Sequence, residues 1–283
     1  MDQSSLPLDP TIAGLALDSR KIKPGFLFAA VSGSQADGAN FVADAVKRGA
    51  TAILAAPDAT LPPIGADVAV VRDVNPRRRI ALMAASFAGL QPATIAAVTG
   101  TNGKTTTTHG IAAVADAVAV PTAILGTLGV RFRDIATASG RTTPEAPELH
   151  AALQAVAESG AEVAAMEVSS HALALHRVDG LRFEVAVFLG LSQDHLDFHH
   201  TMREYFEAKA RLFDARVSRR AVINIDDAWG RELATRAAIP HVTYAVSTEA
   251  DWTARDVAVG ADGNTSFTLE MAASRRLGTP DAA

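Results

Sequence analysis

The sequence predicts an α/β protein in two parts: a small N-terminal α/β unit, then a larger unit on a mostly parallel sheet. Three observations carry this. From residue 93 onward, short apolar runs alternate with segments of helical periodicity, as expected for strands covered on both faces. The helical segment before them stops at Gln91-Pro92, a natural boundary. A length of 283 residues also suits two domains.

In the first part, residues 25–31 read as a short buried strand closed by Ser32-Gly33-Ser34. Residues 41–48 carry apolar side chains at helical spacing, capped by Gly49. Strands follow at 51–55 and 68–71, separated by the Pro/Gly-rich turn 61–65, and then a helix at 76–89. The Arg77-Arg78-Arg79 run at its start reads as a solvated helix end. In the second part the strands are 94–98, 123–125, 163–168, 185–189 and 221–225. Helices are predicted at 107–120, 145–158, 205–213 and 229–237. Residues 251–271 alternate like a hairpin turning at Asp262-Gly263-Asn264, and 272–283 predict no further element.

The strand 94–98 runs into Thr99-Gly100-Thr101-Asn102-Gly103-Lys104-Thr105-Thr106 and then a helix. Such a turn leaves backbone N–H groups free at a helix N-terminus, where the dipole also favours an anion. Gly100 and Gly103 permit close backbone approach, Lys104 supplies a cation, and Thr105 a hydroxyl for a magnesium ion. The common phosphate-loop pattern would place glycine where Val98 stands. The loop therefore predicts nucleotide phosphate binding.

Ligands of doubly covered sheets lie beyond the carboxyl ends of the strands. Residues 99–105, 167–171, 191–195 and 224–227 all follow strand ends and should converge there. Glu167 at a strand mouth beside the loop suits a metal bridging phosphates, or else caps the next helix. The stretch Asp194-His195-Leu196-Asp197-Phe198-His199-His200 admits a metal, a proton shuttle or a solvated loop, and its spacing fits no common zinc pattern. By composition the solvated loop is favoured, and Lys209 reads as an exposed lysine paired to Glu204 or Glu207.

Composition narrows the class. With 26 basic and 31 acidic residues there is no basic stripe, which argues against nucleic acid. The chain has no cysteine, hence no disulfide framework and no thiolate chemistry. Residues 1–10 lack the apolar core of a signal peptide, and no apolar run is long enough to span a membrane. The expectation is a cytoplasmic protein.

Read together, several segments resemble one family. They are Leu17-Asp18-Ser19-Arg20, Gln35-Ala36-Asp37-Gly38, the loop 99–106, Thr142-Thr143-Pro144, Met166-Glu167-Val168-Ser169-Ser170-His171, Asp194-His195-Leu196-Asp197 and Glu207-Ala208-Lys209-Ala210-Arg211-Leu212-Phe213. In order and spacing the chain is similar to the UDP-N-acetylmuramoyl-tripeptide synthetases among the Mur ligases of peptidoglycan assembly. Folylpolyglutamate synthases share a similar phosphate loop, but Asp18-Ser19-Arg20 and the segment 166–171 would not be expected in them.

The resemblance implies an ATP-driven amide ligase that adds meso-diaminopimelate, or L-lysine, to UDP-N-acetylmuramoyl-L-alanyl-D-glutamate through an acyl phosphate. Residues 1–91 would form the UDP-precursor-binding domain and 92–283 an incomplete central ATP-binding domain. The family's C-terminal Rossmann-like domain would be absent, which leaves a catalytically impaired protein that only binds precursor and ATP as the alternative. Gly100, Thr101, Asn102, Gly103, Lys104, Thr105 and Thr106 would bind ATP, and Asn224 its adenine. Lys104 would neutralise the transferring phosphoryl group; Thr105 and Glu167 would hold one magnesium. His195 and Lys209 would serve a second, with Lys209 carbamylated, which reverses the bland readings of both. Leu17, Ser19, Ser34, Gln35 and Ala36 would contact the UDP-sugar, and Thr142, Thr143, Ser169 and Arg177 the peptide arm. The partners would be that UDP-muramyl dipeptide precursor and an amino acid, the protein acting as a monomer.

Three positions depart from the family pattern. Gly190 stands where asparagine is usual, Leu175 where glutamine is, and Arg141 where asparagine can occur.

Overall fold

The computed structural model describes residues 11–33 and 36–272. Ser34, Gln35 and the segment 273–283 lie outside the described residues. The chain divides into two compact units. The first comprises Met1–Gln91, Thr143–Ser159 and Ala174–Leu181; the second comprises Pro92–Thr142, Gly160–Leu173 and Arg182–Ala283.

The first unit starts with β1 (Gly14–Ala16) and β2 (Phe26–Ala30), continues through α1 (Val42–Lys47), β3 (Ala52–Ala55) and β4 (Ala69–Arg72), and reaches α2 (Pro76–Ala88). Among the described residues its sheet is all parallel in the order β1-β2-β3-β4. Successive side chains of a strand point to opposite faces, and both faces here are apolar. Phe28, Ala30, Ile53 and Ala55 pack with Val42 and Ala45 of α1. Leu27, Ala29, Ala52 and Leu54 pack with Ile80 of α2. The strand β1 was not anticipated, because the polar cluster 17–20 directly after it reads as loop. Asn75 caps α2 by accepting the Arg78 N–H. Arg78 and Arg79 are exposed as expected. Arg77 is not a solvated residue: its side chain keeps only 16% of its exposure.

In the second unit β5 (Thr94–Thr99) leads into α3 (Lys104–Ala117). That helix opens three residues before the expected start, because Gly103, in the left-handed region at φ 84°, is its N-cap. The strand β6 (Thr122–Gly126) is followed by an unanticipated antiparallel pair, β7 (Gly129–Phe132) and β8 (Ile135–Thr137). Helix α4 (Ala146–Glu158) belongs to the first unit, where it packs on α2, rather than to the alternation of the second. The chain continues through β9 (Val163–Glu167), α5 (Ser170–Ala174) and β10 (Phe183–Phe188), and then α6 (Leu196–His199) and α7 (Met202–Ala210). It goes on through β11 (Ser218–Asn224), α8 (Ala228–Arg236) and β12 (His241–Ala245), which the sequence reading omitted, to β13 (Trp252–Val259) and β14 (Thr265–Met271). The last two form the expected hairpin.

The second sheet runs β14-β13-β12-β11-β10-β5-β9-β6-β7-β8 among the described residues. It is parallel from β13 to β6 and antiparallel at both margins. No helix of the described residues is long and apolar enough to cross a membrane.

Candidate active site

The sheet order sets the carboxyl ends of β11, β10, β5 and β9 side by side. The loops that leave them are tied to one another through backbone. Leu189 N–H donates to Thr99 O at 3.0 Å, Thr101 N–H to Gly190 O at 3.1 Å, and Val168 N–H to Val98 O at 2.9 Å. Gly100 lies at φ 150°, and a Cβ there would come within 2.8 Å of the Leu189 Cβ. Only glycine lets the two loops close this far.

Two lysines converge on one carbonyl of the β5–α3 loop. Lys104 Nζ donates to Gly100 O at 3.0 Å and Thr101 O at 2.9 Å. Lys209 Nζ donates to the same Gly100 O at 3.0 Å and to Thr99 Oγ1 at 3.4 Å. Lys209 is 1% exposed, so the exposed ion pair with Glu204 or Glu207 is not formed. Glu207 instead pairs with Arg236 at 2.7 Å. Burial, and then the neighbouring Lys104 charge, pulls the Lys209 ammonium down to about 7. Burial lowers Lys104 as well. Lys209 Nζ also lies 4.7 Å from the centroid of the Tyr205 ring one helical turn away. The Tyr205 hydroxyl is 3.3 Å from Thr101 Oγ1, which is bonded in turn to Ser192.

Glu167 ends β9 and is 2% exposed. Its Oε1 accepts from Thr105 Oγ1 and from the Thr127 N–H, each at 2.9 Å, and its Oε2 accepts from Thr127 Oγ1 at 3.1 Å. A Cβ on Gly126 would overlap the carboxylate. The carboxylate is thus aimed at the start of α3 rather than capping the next helix. Thr127 was missed; the signal for it was a Gly-Thr pair directly after an apolar strand. Thr105 and Glu167 together offer hard oxygen donors, which fit magnesium, beside helix N-terminal N–H groups, which fit an anion. Thr127 Oγ1 also lies 3.1 Å from Thr142 Oγ1, where it can accept the Thr142 hydroxyl proton, and Ser169 Oγ accepts the Ala172 N–H.

His195, at φ 53°, lies in a group of rings with His171, Phe198, His199 and Tyr205. Its ring centroid is 4.8 Å from that of His171 and 6.0 Å from that of Tyr205, so Tyr205 adjoins both His195 and Lys209. Among the described residues no group of three or more His, Cys, Asp or Glu side chains is arranged to hold a metal ion. His199 is buried, and its Nε2 has no hydrogen-bond partner among the described residues. Burial, then the charges of His171, Lys209 and His195, lower it to about 4. Unfolded, the same imidazole takes a proton near 6.5. Between those values the unfolded chain binds more protons, so stability should fall as pH drops from 6.5 towards 4. Chemical denaturation across that range is expected to show a shallower fall for His199→Phe; an unchanged slope would refute the assignment.

At the end of β11, Asn224 is turned onto its own loop, bonding Asp226 through Nδ2 and Oδ1, each at 3.1 Å. Asp227, placed among the strand-end residues by the sequence but given no role of its own, links two loops: Oδ2 accepts the Leu191 N–H and Oδ1 the Gly230 N–H at the start of α8, both at 2.7 Å. Gly190 lies at φ 114°, and a Cβ there would sit 2.9 Å from Asp227 Oδ2.

The other expected contact residues belong to the first unit. Leu17 packs against the apolar face that includes Leu27, while Ser19 is buried and Ala36 exposed. Arg177 Nη1 donates to the Thr143 carbonyl at 3.1 Å.

Comparison with known proteins agrees with this architecture. The Mur ligase middle-domain model matches residues 98–277, and the Mur ligase catalytic-domain family model matches residues 11–88. The UDP-N-acetylmuramoyl-L-alanyl-D-glutamate–2,6-diaminopimelate ligase of Syntrophomonas wolfei is 41% identical over 268 residues, 93% of this chain and 54% of that protein. The ligase of the same name from Streptomyces coelicolor is 42% identical over 253 residues, 88% of this chain and 50% of that protein. A solved ligase of this name superposes with a TM-score of 0.78 at 33% identity, covering 91% of this chain and 53% of that one. The MurF ligase of Thermotoga maritima in complex with ADP shares the fold at a TM-score of 0.61 and 20% identity, over 93% of this chain and 57% of that one. The chain spans about half the length of the curated relatives it matches.

Proposed function

The chain belongs to the Mur ligase family, and on that premise we propose that it serves the ATP-dependent addition of meso-diaminopimelate to UDP-N-acetylmuramoyl-L-alanyl-D-glutamate. The observation that carries this reading is the convergence of Lys104 and Lys209 on Gly100 O, next to the Thr105–Glu167 pair. Phosphoryl transfer asks the protein chiefly for positioning and charge neutralisation. This set of groups supplies both.

In this reading, the N–H groups of residues 100–106 receive the ATP phosphates, and the Lys104 ammonium moves from carbonyl oxygens to phosphate oxygens. Asn224 serves the adenine. Thr105 and Glu167 would hold the magnesium ion, which when bound neutralises charge on the β- and γ-phosphates. The carboxylate of the precursor attacks the γ-phosphorus and ADP leaves. The amine of the amino acid then attacks the acyl carbon, phosphate departs with the bonding pair, and the amine loses a proton. With its ammonium lowered to about 7, Lys209 has a sizeable neutral fraction, the form that adds carbon dioxide. As a carbamate, Lys209 would hold a second magnesium with His195. Leu17, Ser19, Ser34, Gln35 and Ala36 serve the UDP-sugar, while Thr142, Thr143, Ser169 and Arg177 serve the peptide arm. The chain would act as a monomer in the cytoplasm, where ATP and the precursor are made.

The test is calorimetric titration with ATP, magnesium and the UDP-muramyl dipeptide, followed by phosphate-release assays with meso-diaminopimelate or L-lysine. Saturable binding of both nucleotides and phosphate release only with diaminopimelate is the expected result. Binding without release would reduce the role to capture of the precursor, a reading that the glycine at 190 favours. Failure to bind ATP with magnesium would overturn the reading.

A further inference from the structure

The first turn of α2 carries three successive arginines, none of which the reaction above employs. Arg77 differs from its neighbours in being turned inward, where it holds two stretches of the first unit at once. Its Nη2 donates to the Ser32 carbonyl at 3.0 Å, and its Nη1 lies 3.5 Å from Glu145 Oε2. The other oxygen of that carboxylate, Oε1, is 2.9 Å from Arg177 Nη2. Arg177 in turn donates through Nη1 to the Thr143 carbonyl. One carboxylate therefore lies between two guanidiniums whose side chains are 16% and 10% exposed.

We propose that Arg77 is a positioning residue for precursor binding, holding Glu145 so that Glu145 fixes the guanidinium of Arg177. This rests on the function proposed above, in which Arg177 meets the peptide arm. A carboxylate bonded on one oxygen only can rotate and take its partner with it. The Arg77 guanidinium lies 3.5 Å from Oε2, an ion-pair rather than a hydrogen-bond distance, and its charge draws that oxygen so that Oε1 faces Arg177. The trio also carries one positive charge in excess, which suits an arm ending in the carboxylates of a glutamyl residue. A lysine could not replace Arg77, because a single ammonium lacks the planar fork that serves Ser32 O and Glu145 together.

Calorimetric affinities of the full chain for the UDP-muramyl dipeptide and, separately, for ATP with magnesium test the proposal on Arg77→Met, Arg77→Lys and Arg79→Met. Both Arg77 variants should lose about tenfold or more in dipeptide affinity while ATP affinity stays within about twofold. Arg79→Met removes the same charge from the same helix turn and should change neither. Added to Arg177→Met, the Arg77→Met change should weaken dipeptide binding little further, since both act through one contact. Arg77→Lys keeps the charge and the stem, so it provides the readout if Arg77→Met does not fold. Unchanged dipeptide affinity, an equal loss for ATP, or fully additive losses with Arg177→Met would each overturn the proposal. A wild-type chain that binds ATP but no dipeptide would overturn the precursor reading and this inference with it. Wild-type dipeptide binding with indifferent Arg77 variants would overturn this inference alone.

Discussion

Replacing Lys104 with methionine is expected to weaken ATP binding in the presence of magnesium by about tenfold to a hundredfold. A charge-assisted contact to an anion contributes roughly 1.5–3 kcal/mol, and each 1.4 kcal/mol is about a factor of ten in affinity. The change should leave the fold intact. Gly100 O keeps Lys209 Nζ as a donor at 3.0 Å. Loss of ATP affinity with a melting temperature near that of the parent would identify Lys104 as a phosphate ligand. Unchanged affinity, measured by calorimetry, would remove it from the nucleotide site.

Gly126→Ala should have an effect of similar size by a different route. The added methyl group overlaps the Glu167 carboxylate, not backbone. Glu167 is the flexible partner and must swing away, giving up the Thr105 hydroxyl and the Thr127 N–H. The structural cost is modest, since a side chain moves and no strand does. The chemical cost is the loss of one of two oxygen donors expected to hold magnesium. ATP affinity should therefore become nearly insensitive to magnesium, while affinity measured in chelator stays close to the parent value. If magnesium still strengthens ATP binding to the same degree, Glu167 is not a metal ligand.

The sequence made the strand, loop and helix at Thr94–Ala117 legible because their signal is local. Two glycines, a lysine and a threonine sit at fixed offsets between an apolar strand and a helix. The parallel sheet was legible for a related reason: strands such as Thr94–Thr99 and Val163–Glu167 are apolar on both faces. Lys209 was not legible from composition, because the charged Glu207 and Arg211 two positions to either side suggest a solvated stretch. Its burial could still be read from spacing, since Tyr205 lies four positions earlier on the same face. Arg77 was missed likewise inside a run of arginines, although it stands three and four positions before the buried Ile80 and Ala81. Helix α4 was assigned by alternation alone, and periodicity does not say which surface an apolar stripe covers. Strand β1, three residues long, and the β7–β8 pair were too short to announce themselves against the turns beside them. The linking role of Asp227 was hidden because an acidic residue before a helix looks like an ordinary cap, and it is one; its second bond, to Leu191 N–H, is long-range.

The glycine at 190 also bears on how this sequence can change over time. An asparagine introduced there would meet Asp227 Oδ2 at 2.9 Å on a backbone at φ 114°, which L-residues rarely adopt. Asp227 cannot simply yield, because it holds both the Leu191 N–H and the first turn of α8. Positions 190 and 227 are therefore tied: a side chain at 190 disturbs the two bonds that Asp227 makes, and a smaller residue at 227 would still leave the strained backbone at 190 in place.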